Sequence, residues 1–180
     1  MKIIPIILCV IGIFGCSNST DPNYNSYYDA LANLEAKQAI ALANEWRDSA
    51  PKITSLITTN EVKFEFPDGR KTSKSLPDSL MYIAIAPYIN KTHECSTHYP
   101  SSCTGEINEK EFKITAKDKD NISITYFDGN ITSLKHGFIE LWLTRNKNIE
   151  LKITYDNKSG QEIIPTYNDS RSCITTIMLK

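Results

Sequence analysis

The chain is short of net charge. Lysine and arginine almost balance the acids, leaving a formal charge of −1, and no stretch is densely basic. That excludes the electrostatic footprint of a nucleic-acid-binding domain. Long apolar runs are also missing: the longest, Ile3 to Phe14, falls short of the roughly 20 residues needed to span a bilayer as a helix. There is no internal repeat, no low-complexity tract, no phosphate-binding loop and no dinucleotide fingerprint. No Ser-His-Asp set stands out, and no C-x-x-C redox motif occurs. Asp68 and Asp78 each follow a proline in a turn, so no pair of carboxylates is set up for acid–base work. Histidine is scarce, at three residues, and cysteine totals five.

Two of those cysteines, Cys9 and Cys16, lie at the front. Lys2, the apolar run and Gly15-Cys16 have the parts of a secretory signal. Ile13-Phe14-Gly15-Cys16 resembles a bacterial lipobox, in which the cysteine is lipidated and becomes the first mature residue. The expectation is a signal peptide over 1–15, lipidation of Cys16 and a polar tether over 16–25. The protein is then anchored by lipid on the periplasmic side of the bacterial cell envelope, where disulfides persist.

The remainder is long enough for one ordinary domain. Tyr27, Leu31, Leu34, Leu42 and Trp46 recur at helical spacing among many alanines, predicting a helix over 26–48 within a helical segment 26–50 that stops at Pro51. From residue 52 the period becomes two. Strands are predicted at Val62–Phe66, at Met81–Ile89 with its end demoted to an edge or bend by Pro87, at Phe112–Ala116, through Ile122, Ile124 and Tyr126, at Ile139–Leu143, at Ile149–Tyr155, around Ile163, and from Cys173 to Leu179. Polar turns separate them. The fold class is mainly β: a β-sandwich-like domain over 52–180 behind a short helical segment.

Cys95, Cys103 and Cys173 are odd in number, so they cannot all pair internally. Cys95 and Cys103 are predicted at the two ends of one surface loop, and Cys173 at the start of the last strand, able to face that loop. Met178, at an odd offset from Cys173, points to the opposite face and is a poor co-ligand. Thiolates select Cu(I), zinc or iron–sulfur clusters; three sulfurs suit Cu(I), whereas structural zinc needs a fourth ligand from His93 or His98. The blander readings are a small-loop disulfide between Cys95 and Cys103, worth about 2–3 kcal/mol, with Cys173 a buried small hydrophobe. His136 reads as a turn residue before Gly137, and Trp46 and Trp142 as structural.

Four segments then carry a resemblance. Ile85 to Cys95, Cys103-Thr104-Gly105-Glu106, Gly137 to Leu143 and Cys173-Ile174-Thr175-Thr176, in that order, resemble the CueP family of periplasmic copper-binding proteins over about residues 80–180. The resemblance implies Cu(I) bound by Cys95, Cys103 and Cys173, for copper storage, delivery or tolerance in the envelope. It also implies Cu(II) reduction through the paired cysteines; the runner-up reading is an enzyme, a thiol-dependent Cu(II) reductase or thiol–disulfide oxidoreductase using Cys95 and Cys103. A third reading is a structural lipoprotein with one disulfide. The expected partners are a copper ion, the membrane through the N-terminal lipid, and an envelope copper-requiring protein or thiol reductant; zinc is the other metal considered.

Overall fold

The computed structural model describes residues 23–49 and 52–180. The signal segment, Cys9 and Cys16 lie outside the described residues. No described helix is long and apolar enough to cross a membrane.

The predicted single helix is two: α1 (Asn25–Leu31) and α2 (Ala36–Ser49). The break has a local cause. The Gln38 side chain accepts the Glu35 backbone N–H at 3.0 Å while the Glu35 carbonyl accepts from Ala39, so a new helix start is capped just where Asn33 has weakened the first. The buried face of α2 is mostly small: Ala36, Ala39, Ile40, Ala43 and Trp46. Leu34 and Leu42, expected on that face, are only partly buried. Trp46 sets its ring edge-on to Tyr27 and Phe64, at centroid distances of 5.3 and 6.0 Å, within the range in which aromatic pairs attract.

The described strands form three sheets. The first is the antiparallel meander β1 (Thr54–Ile57), β2 (Glu61–Glu65) and β3 (Lys71–Ser75). The second places β4 (Leu80–Ile85) between β7 (Ile139–Thr144) and the two-residue β10 (Cys173–Ile174). The third has the order β6-β5-β8-β9, built from β5 (Glu111–Asp118), β6 (Thr125–Thr132), β8 (Asn148–Tyr155) and β9 (Lys158–Pro165). The β-sandwich-like class expected from the alternating pattern is thus present.

The middle sheet is covered on both faces, and β4 shows it: five successive residues, Met81 to Ile85, are buried. Side chains alternate across a strand. Met81, Ile83 and Ile85, with Ile139, Leu141 and Leu143 of β7, meet Phe112, Ile114, Leu151 and Ile153 of the third sheet. Tyr82 and Ala84 face the other way, toward the helices and the meander, in a core that also holds Phe64, Phe138, Cys95 and Cys173.

Three differences from the predicted strands have physical reasons. Ile122 and Ile124 lie in a loop and stay exposed, because the Asp118 carboxylate collects the backbone N–H groups of Asp120 and Asn121 and the Tyr126 hydroxyl. The last strand is cut to Cys173–Ile174. Pro87 has no N–H, so the adjacent donors Ala86 and Tyr88 reach Ile174 and Ile177, leaving an extra residue in between. Finally, β1 and β3 had no apolar alternation to announce them: β1 alternates partly through Ser55, and no residue of β3 is buried.

Candidate metal centre

The loop from Thr92 to Glu106 crosses the polar face of the middle sheet and is tied to β1, to α2 and to the chain entering β10. The Ile57 N–H donates to the His98 carbonyl at 2.7 Å, bridging β1 to the loop. Ser172, next to Cys173, accepts the His98 N–H at 3.2 Å and donates to the Ile57 carbonyl at 2.5 Å. The Ser96 carbonyl accepts from both Ser172 and Cys173. From the last turn of α2, Arg47 donates to the carbonyls of Pro100, Ser102 and Cys103 and, at 2.7 Å, to the Thr104 hydroxyl.

These ties bring the three cysteines together. β10 runs parallel to β4 with Cys173 opposite Ala84, which sets Cys173 in the floor, fully buried. Cys95 is bonded to Cys173 across a Cα–Cα distance of 5.6 Å. Cys103 is a free thiol, and its Sγ lies 3.8 Å from that of Cys95. The short-loop disulfide considered between Cys95 and Cys103 is therefore corrected: Cys95 pairs with Cys173, 78 residues away. The turn that lets the Tyr99 N–H donate to Cys103 Sγ at 3.4 Å holds that sulfur beside the bridge, not in it.

Both sequence-predicted histidines are at the cluster. His93, exposed, can share one ion with Cys95 and Cys103; His98, buried, can share one with Cys103 and Cys173, with ligand atoms in each group within 4.8 Å of one another. His98 is packed 4.5 Å from the Phe138 ring, and its Nδ1 has no hydrogen-bond partner. Burial first, then the nearby Arg47 charge, depress its pKa to about 3. It is therefore a neutral imidazole at any ordinary pH, the form that binds metal.

Beneath the cluster lies a group that sequence reasoning missed. The Glu140 carboxylate accepts from the Tyr82 hydroxyl and the Asn44 side-chain amide, both at 2.7 Å. Burial raises its pKa, partly opposed by those two hydrogen bonds. The available signal was the two-faced burial of β4: its neighbour β7 must then be covered on both faces, so a glutamate between Ile139 and Leu141 faces inward. Nothing comparable marked Arg47.

The four segments quoted for the resemblance meet here. Gly105 and Gly137 touch backbone to backbone; a Cβ on Gly137 would lie 2.7 Å from the Gly105 carbonyl carbon, and Gly137 has φ +80°, a conformation that favours glycine. The Glu106 carboxylate accepts the backbone N–H groups of Ile89, Asn90 and Lys91. Those bonds outweigh a desolvation cost in the other direction and lower its pKa to about 2. A cavity of about 380 Å³ opens beside Cys103 and His98, bounded by Phe138, Arg47, Asp48 and His136.

Comparison with known proteins gives a family and a similar solved structure. The family described as periplasmic copper-binding protein CueP matches residues 39–178. The crystal structure of S.CueP is similar with a TM-score of 0.77 and 28% identity, covering 86% of this chain and 94% of that one. No curated protein matches the chain. The family match begins within α2, so it takes in most of that helix and the meander, which the sequence resemblance left out.

Proposed function

The chain belongs to the CueP family of periplasmic copper-binding proteins, and from that premise we propose that it carries copper as Cu(I) on the thiolates of Cys95, Cys103 and Cys173. The observation that supports this reading is the single sulfur cluster: a free thiol 3.8 Å from a sulfur that is bonded to the third cysteine. Soft thiolates suit Cu(I), and three of them complete its shell without a fourth ligand. All three are available only after the Cys95–Cys173 bond has been reduced, so metal loading is coupled to the redox state of the site. Storage, delivery or tolerance are the roles that fit such cargo. Tetrahedral zinc would need a nitrogen as well; the buried, unpartnered His98 is better prepared for that than the exposed His93. Lipidation at Cys16 places the cargo at a membrane surface, and the mass of the mature N-terminus tests it: an unmodified residue other than Cys16 there would refute the anchor.

The decisive experiment is competition of the fully reduced protein against a Cu(I) chelator. Cys95→Ser, Cys103→Ser and Cys173→Ser should each weaken binding, because a hydroxyl is a harder and far less acidic ligand. If Cys173→Ser competes like the parent, the site is a two-sulfur site.

A second reading is favoured by the disulfide itself. Two thiolates can give one electron each to two Cu(II) ions, closing the S–S bond and yielding two Cu(I). Turnover then needs an external thiol reductant to reopen the bond. The sulfurs concerned are Cys95 and Cys173, with Cys103 beside them, in place of the Cys95–Cys103 pair. Two Cu(I) formed per disulfide, counted with a Cu(I) indicator and by thiol titration, supports this activity; Cu(I) formed with no loss of thiols rules it out.

A further inference from the structure

Outside the sulfur cluster, the same cavity is bordered by a second group of metal-ligating side chains. His136 Nε2 lies 3.3 Å from Asp48 Oδ1. That nitrogen is shielded from solvent yet makes no hydrogen bond of acceptable geometry, even to this neighbour. The Asp48 side chain is about half exposed, its other oxygen, Oδ2, taken by Lys135 Nζ at 2.7 Å. Asp48, His136, Cys103 and His98 all border one cavity. The close approach of Gly105 to Gly137, with the Gly105 N–H donating to the His136 carbonyl at 2.7 Å, fixes His136 next to the Cys103 segment.

We propose that His136 and Asp48 are a capture site for Cu(II), from which the ion passes through the cavity to the thiols. It rests on the copper-carrying function proposed above, together with the Cu(II)-reducing second reading. An imidazole nitrogen and a carboxylate oxygen 3.3 Å apart can both lie about 2.0–2.2 Å from one divalent cation. Nitrogen and oxygen ligands with water filling the remaining positions suit tetragonal Cu(II), which stands highest among the first-row divalent ions for such donors. Lys135 stays on the oxygen that the ion does not use, so it orients the carboxylate without blocking it. The charges at the cavity, Arg47 and Lys135 against Glu45 and Asp48, sum to zero. No excess of negative charge therefore adds to the two ligands in holding the ion, as suits a site that must give the ion up. Capture moves no electrons; those come later from the thiolates, in the balanced step given above.

The test uses the whole protein with the Cys95–Cys173 bond intact and Cys103→Ser, so that no free thiol is present at the cluster. Cu(II) is titrated and followed by electron paramagnetic resonance. The expected result is a tetragonal spectrum with nitrogen splitting at about one ion per chain. His136→Gln should remove the nitrogen splitting. Asp48→Asn should keep it but weaken binding at least as much as the roughly 10–100-fold that loss of a mere supporting group costs, since a directly bound carboxylate oxygen is replaced. Using two nearly isosteric variants guards against a single misfolded one. A spectrum unchanged in His136→Gln, or one lost only in His93→Gln, overturns the assignment. Cu(I) competition on the reduced parent is read separately, so failure of the thiol site is not confused with failure of the capture site.

Discussion

The two faces of the β4–β7–β10 sheet are packed against different things. One meets the third sheet through Met81, Ile83, Ile85, Ile139, Leu141 and Leu143, all aliphatic or nearly so. The other meets the helices, the meander and the cysteine loop, and carries Tyr82, Glu140, Cys173 and, above them, His98. Sheet-on-sheet packing needs interdigitating apolar side chains and offers few partners for a polar one. Loops and helix ends supply free carbonyls, N–H groups and side-chain amides, so polar groups can be buried there with their bonds made. The chemistry sits on the face where such partners exist.

Breaking the tie across the polar face should have the largest effect. In the oxidised protein, Cys173→Ser opens a closed loop of 78 residues. The chain-entropy estimate for such a loop is about 4–5 kcal/mol, measurable as a shift in the denaturation midpoint. A midpoint equal to that of the parent would show that the bond adds nothing to the fold.

Ile83→Ala, on the aliphatic face, should cost about 2–5 kcal/mol through lost burial and a residual cavity. Cu(I) competition below the unfolding transition should be unaltered. A change in copper affinity would mean that the two faces are coupled through the sheet.

Acid should act through the polar face. His98 is held at a pKa of about 3 against an ordinary 6.5, so below pH 6.5 the unfolded chain takes up a proton that the folded chain refuses. The stability this contributes is complete above 6.5 and is lost as pH falls toward 3, a difference on the order of a few kcal/mol. Comparing pH–stability curves checks it: His98→Gln should flatten that window, and an unchanged slope would exclude His98 as its source.

Tyr82→Phe should cost less, about 1–3 kcal/mol, by leaving Glu140 with only Asn44 as a partner. The smallest effect is expected at Met178, which is 46% exposed. Met178→Ser should leave Cu(I) binding where it was, and weakened binding would place a thioether in the shell.

How much of this was legible in the sequence depended on range. Val62 and Phe64, Ile114 and Ala116, or Ile149, Leu151 and Ile153 announce their strands because each strand has one apolar face, and the pattern repeats within a few residues. β6 and the helix break were less legible: Asp128-Gly129-Asn130 has no apolar alternation, and the break depends on one side-chain cap. The three cysteines were conspicuous by number and type. Their pairing was not, because Cys95 and Cys103 are close along the chain, whereas Cys173 reaches Cys95 only through the parallel pairing of β10 with β4.

By itself, then, the sequence determined the strand-forming segments, the odd set of thiols and the motif segments that carry the family likeness, since each depends on residue type and near-neighbour spacing. The tertiary structure decided which cysteine is bonded, that Glu140 is partly buried with its carboxylate on Tyr82 and Asn44, that Arg47 clamps the loop, and that His136 and Asp48 share a cavity with Cys103. Those are contacts between residues tens of positions apart. They follow from strand order and the touching glycines at 105 and 137, neither of which is written in local periodicity; the two-faced burial of β4 was hinted at by its unbroken apolar run, but what covers each face was not.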